Sequence, residues 1–171
     1  GLVSKILYGS GVVRNRKAKF IDTPLFAFIS FLYEMAVTRE YIESGSAIKS
    51  SVFLEAVGMK EFCNYFGIDD ICRKEIMEII LGGNCYLDNS HKAVARVIQE
   101  VEKIHQCKTV AEMSSYLNSL ELSFFETNIY PDCKEVFYSS IYEMNSIDTV
   151  RILKEEDGEL FFGKNIGVNL L

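Results

Sequence analysis

Residues 23–42 read Thr23-Pro24 followed by LFAFISFLYEMAVTREYI, ending at Ile42. A hydroxyl residue before a proline is a strong helix start. The side chain caps the first free amides, and proline fits the first helical position because its missing N–H has no partner there anyway. Phe26, Phe28, Ile29, Phe31, Leu32 and Met35 then cover most of the circumference. A helix that is apolar nearly all round is buried on most sides. The stretch therefore predicts a central helix from 24 to about 42, stopped near Ser44-Gly45-Ser46. The fold expected around it is mainly α: a single-domain bundle of six to seven helices.

Working outward, the same spacing recurs. A helix is expected over 46–57, with Ile48, Val52, Phe53 and Val57 on one face, and a short one over 59–66 ended by Gly67. Asp69-Asp70 opens the next, with Ile71, Ile76, Ile79 and Ile80 facing inward and Gly82-Gly83 closing it. Residues 91–107 carry the apolar stripe Val94, Val97, Ile98, Val101 and Ile104. Thr109 with Glu112 has the spacing of a capping box, ahead of Met113, Tyr116, Leu117 and Leu120. Pro131 starts a last helix bearing Cys133, Val136, Phe137, Ile141 and Met144. After Asn145 the period shortens, and Asp157-Gly158 between apolar runs signals a hairpin. A small antiparallel β element is expected over about 149–170. Residues 1–22 read as a basic N-terminal arm, and 23–171 as one domain.

Composition excludes several classes. With 171 residues, 49% hydrophobic, 12 Phe and 9 Tyr, the chain is too apolar for intrinsic disorder. Two Pro and 11 Gly exclude collagen-like and low-complexity sequence. A pI near 5.0 disfavours nucleic acid as a partner. The five cysteines, Cys63, Cys72, Cys85, Cys107 and Cys133, are odd in number and lack metal-site spacing. A reducing, cytoplasmic setting is the simplest expectation. The longest apolar stretch, Pro24 to Val37, falls short of the ~20 residues a spanning helix needs. No signal-peptide pattern opens the sequence.

Motifs that fix a chemistry are absent. Gly9-x-Gly11 lacks the third glycine of a dinucleotide loop, since Arg14 stands there. Glu102 and His105 have the i, i+3 spacing of a di-metal helix pair, but Asp88 and His91 do not form a matching second pair, so no metal or cofactor is expected. The expected arrangement puts His105 at the edge of the core stripe and Glu102 in solvent. His105 and Cys107 are two apart on a helix and do not face each other. Glu34 interrupts the most apolar helix and is expected on its solvent strip. No catalytic residue is assigned.

Charge asymmetry is the clearest functional signal. Lys5, Arg14, Arg16, Lys17 and Lys19 give residues 1–20 five positive charges and no acid, while the whole chain carries −6. The arm can dock on the chain's own acidic surface, which is the leading reading, or meet anionic lipid headgroups. Two function classes follow. The first is a non-catalytic protein-interaction module, of adaptor, inhibitor or immunity type, acting through an acidic face on a protein partner. The second is a peripheral membrane or apolar-ligand-binding protein using the arm and an aromatic-lined pocket. An enzyme of undefined class, resting on Glu34, His105 and Cys107, comes third.

Overall fold

The computed structural model describes residues 22–145. The basic arm, the apolar run at 2–8 and the strands expected at 149–170 lie outside the described residues. What is described is mainly helical, 65% of it, with a small three-stranded antiparallel sheet. In chain order the elements are α1 (Pro24–Val37), β1 (Glu40–Ile42), β2 (Gly45–Lys49), α2 (Ser50–Ala56), α3 (Lys60–Phe66), α4 (Asp70–Leu81), β3 (Tyr86–Leu87), α5 (Lys92–Gln106), α6 (Val110–Asn118), a 3-10 turn (Leu122–Phe125) and α7 (Cys133–Asn145).

Helix α1 starts as its sequence dictates. The Thr23 hydroxyl accepts from the Phe26 amide at 3.2 Å. Leu25, Phe28, Leu32 and Met35 are fully buried. The helix ends at Val37, not near Ile42. Both the amide and the hydroxyl of Thr38 donate to the Glu34 carbonyl, at 3.0 and 2.7 Å, and close the last turn. Glu40-Tyr41-Ile42 then pairs with Gly45-Ser46-Ala47 as a hairpin. Gly45 adopts a φ of 110°, which an L side chain rarely tolerates, and so marks the reversal. The expected helix over 46–57 is corrected likewise. Its first part is strand β2, and the helix proper begins at Ser50, whose amide and hydroxyl bond to Cys85 and Asn84 carbonyls. Strand β3 pairs with β2 through Ile48↔Leu87 and Lys49↔Tyr86. The sheet of the described residues thus lies at 40–49 and 86–87 rather than in the C-terminal tail.

The described residues fall into two compact units. One comprises 31–106. Its core joins Phe53, Phe62 and Phe66, with ring centroids 6.2 and 4.8 Å apart in succession. The stripe expected on α5 is buried throughout. Gly67 ends α3 in the left-handed conformation, and the Ile68 amide bonds back to the Cys63 carbonyl. This is a Schellman closure, completed by burial of Ile68. Helix α4 departs from expectation. Only Ile76 is buried, while Ile71 is 70% exposed and Ile79 is exposed too. The reason is angular: at 3.6 residues per turn Ile71 lies about 140° round the helix from Ile76, so the four isoleucines never shared one face.

The other unit comprises 22–30 with 107–145. The Phe28 and Phe125 rings meet at a tilt of 56°, with centroids 4.8 Å apart. Thr109 caps α6 by accepting from the Glu112 amide at 3.1 Å. The Glu112 carboxylate answers at the Lys108 amide, at 2.6 Å, one residue before the position a capping box uses. Helix α7 buries Cys133, Val136, Phe137 and Ile141.

Candidate interaction surface

The 3-10 turn and α7 together shape a surface notch. Leu122 and Phe125 are buried and pin the turn from below. Glu121 precedes it, and its carboxylate accepts from the Ser123 amide at 3.2 Å and the Ser123 hydroxyl at 2.8 Å. Those hydrogen bonds, with the Lys134 ammonium nearby, hold the Glu121 carboxyl below the usual carboxylate range. The loop that follows is ordered by Thr127, whose hydroxyl accepts from the Ile129 and Tyr130 amides. Helix α7 then brings Lys134 and Tyr138 back to the turn. The notch encloses about 190 Å³ and is lined by Leu120, Glu121, Leu122, Ser123, Glu126, Lys134 and Tyr138.

One tyrosine lines it, and other exposed large side chains lie near it in sequence. Tyr138 is 40% exposed and Tyr142, four residues on and therefore on the same helix face, is 79% exposed. Ile129 and Phe124 are also exposed large apolar residues. Carboxylates accept bonds from ammonium and guanidinium groups, and tyrosine rings attract the same cations over their faces. The surface is chemically suited to a basic segment.

The residues singled out from sequence do not converge on a catalytic site. Glu34 is exposed on α1, as its solvent-strip reading expects. The expected roles of Glu102 and His105 are reversed. His105 is exposed, whereas Glu102 is half-buried and takes a 2.6 Å hydrogen bond from the Ser46 hydroxyl and an ion pair with Arg39 at 3.2 Å. Sequence spacing placed Glu102 correctly on α5 but could not see the hairpin folded against it. The Arg39 guanidinium also stands 5.5 Å from the centre of the Tyr41 ring. His91 turns to Glu75, with Nε2 at 2.9 Å from the carboxylate, while its Nδ1 accepts from the Ala93 amide. Asp88 instead accepts from Ser44 and Ser90. Burial pushes the Cys107 thiol up, away from the thiolate a nucleophile needs. Among the described residues no group of three or more His, Cys, Asp or Glu side chains could hold a metal ion. No described helix is long and apolar enough to cross a membrane. Among the described phenylalanines up to residue 66, Phe26, Phe28, Phe53, Phe62 and Phe66 are buried in core, and Phe31 is half-buried.

Lys5, Arg14, Arg16, Lys17 and Lys19 lie outside the described residues. Glu121, Glu126, Tyr138 and Tyr142 were not singled out from sequence. The signal for the tyrosines was available: both stand one position past a buried residue of the α7 stripe, at i, i+4 spacing. No family model, curated protein or solved structure matches the chain.

Proposed function

We propose that this chain is a non-catalytic protein-interaction module that binds a basic segment of a protein partner through the acidic, tyrosine-lined notch between the 3-10 turn and α7. The observation that supports this reading is a small concave surface lined by two carboxylates, Glu121 and Glu126, one ammonium, Lys134, and the exposed Tyr138, with the exposed Tyr142 one turn further along α7. Aromatic residues at a rim supply contact area at low entropic cost, and the carboxylates set the sign of the partner's charge.

The test is affinity capture from cell extract with the natural chain and with a Glu121→Lys, Glu126→Lys variant. The natural chain is expected to retain a protein that elutes with salt. The charge-reversed chain should lose it, and Glu126→Lys alone, which spares the Glu121 cap on the 3-10 turn, should weaken capture with the melting temperature unchanged. Equal capture by both chains overturns the reading.

A further inference from the structure

We infer that His91 is a proton-operated latch: its neutral ring caps the start of α5 while tied to Glu75 on α4, and a second proton makes it release α5 and keep α4.

The ring sits between two partners of opposite kind. Nδ1 lies 3.2 Å from the Ala93 amide nitrogen. That amide is a donor, so Nδ1 presents its lone pair and carries no proton. Nε2 lies 2.9 Å from the Glu75 carboxylate, an acceptor, so Nε2 carries the one proton of the neutral ring. Together the two contacts select a single tautomer. The place matters as well. His91 stands immediately before α5, where its carbonyl accepts from the Ala95 amide at 2.9 Å and its ring accepts from Ala93. A helix start offers amides with no partner of their own, and the usual caps are the oxygens of Asn, Asp, Ser and Thr. Here the capping atom is one that can be protonated.

The second proton can enter only at Nδ1. It sets an N–H against the Ala93 N–H, donor against donor, at the positive end of the helix dipole. The same charge strengthens the contact with the Glu75 carboxylate. Both effects move the ring the same way, off α5 and onto α4. The turn that is released carries core residues, since Ala93 and Val94 are buried.

The neighbouring charges leave this role to His91. Glu75 meets the ring directly. Elsewhere on α4, Arg73 is paired with Asp70, and burial raises the Cys72 thiol and keeps it neutral. Lys74 and Glu78 lie within one turn of Glu75 and are exposed. On α5, Lys92 is exposed and Arg96 donates to the Phe66 carbonyl. Ahead of the ring, Asp88 accepts from Ser44 and Ser90, which hold its carboxyl below the ordinary range and keep it charged in mild acid.

The test is nuclear magnetic resonance of the ¹⁵N-labelled full chain from about pH 8 to about pH 5, the span in which imidazoles charge. At the alkaline end the His91 ring should show its proton on Nε2 and a bare Nδ1. As the ring takes its second proton, the Ala93 amide signal should move along the same curve as the ring nitrogens. Protection of that amide, corrected for intrinsic exchange, should fall about fivefold, the usual effect of losing a helix cap. His91→Asn keeps a capping acceptor that does not titrate, so its Ala93 amide should hold both its position and its protection across the span. A proton on Nδ1 at the alkaline end, or a ring that takes no second proton, overturns the inference. So does an Ala93 amide that stays put while the ring titrates, or an Ala93 response that survives in His91→Asn.

Discussion

The Arg39 guanidinium meets the Glu102 carboxylate at 3.2 Å, and the Ser46 hydroxyl bonds both, at 3.1 Å to Arg39 and 2.6 Å to Glu102. This three-way contact fastens the β1–β2 hairpin to α5. The Arg39 side chain is only 14% exposed, and its Nε is buried without a partner. Glu102→Ala should therefore leave a largely buried cation uncompensated and cost about 2 kcal/mol in urea unfolding. Adding Arg39→Met should recover most of that loss. A double variant as unstable as Glu102→Ala would show that the pair's charge is not what holds the hairpin.

Gly67→Ala tests the closure of α3. The position has a φ of 66°, and an added Cβ would stand 3.1 Å from the Arg96 guanidinium, which donates to the Phe66 carbonyl. The left-handed backbone alone should cost about 1–2 kcal/mol. Thermal melting should drop measurably, and an Arg96→Ala background should relieve only the part due to crowding.

The cysteines should react in an order set by burial. Cys85 is exposed, whereas Cys63 and Cys133 are buried and burial raises both thiols. Cys63 also donates to the Val57 carbonyl at 3.2 Å. Pulse alkylation followed by mass spectrometry should find Cys85 modified first and Cys63 and Cys133 last. Early modification of Cys133 would mean that the start of α7 opens more readily than its packing implies.

Acid should weaken the link between the hairpin turn and the segment before α5. The hydrogen bonds from Ser90 and Ser44 hold the Asp88 carboxyl below its ordinary range. A carboxyl depressed in the folded state contributes stability at neutral pH, and that contribution disappears as pH falls through the folded value. Asp88 is largely hydrated, so the effect should stay below about 1 kcal/mol. Asp88→Asn should lower the melting temperature at about pH 7, and the gap to the natural chain should narrow progressively as the pH falls below the ordinary carboxyl range. A gap that persists in acid would assign the loss to packing instead.

The helical frame was legible because periodicity reports it directly. The α5 stripe, the Thr23-Pro24 start and the Gly67 stop are each local signals, and the structure keeps all three. The hairpin was not legible because Thr38-Arg39-Glu40-Tyr41-Ile42 continues a helical pattern without a break. Past Thr38 the chain is held instead by tertiary partners, Arg39 by Ser46 and Glu102 and Glu40–Ile42 by strand β2, which local propensity does not reveal. Tertiary contact decided the rest: Glu102 reads as a solvent residue until Ser46 and Arg39 arrive from a distant segment. The notch was hidden for a similar reason. Its residues come from a turn and a helix separated by an irregular loop, and no spacing rule links Glu121 to Tyr138.

The burial of α1 carries a consequence for how this chain can vary. Leu25, Phe28, Leu32 and Met35 form one continuous inward row, and Glu34 and Val37 stand outside it. Exchange of one apolar residue for another along that row perturbs volume alone and is tolerated within limits. A single inserted or deleted residue does something different. It rotates everything downstream by about 100°, which carries Glu34 towards the inside and Leu32 or Met35 towards water. Lineages of this protein should therefore accumulate substitutions in α1 freely while holding its length constant, and length changes should collect in the loops instead.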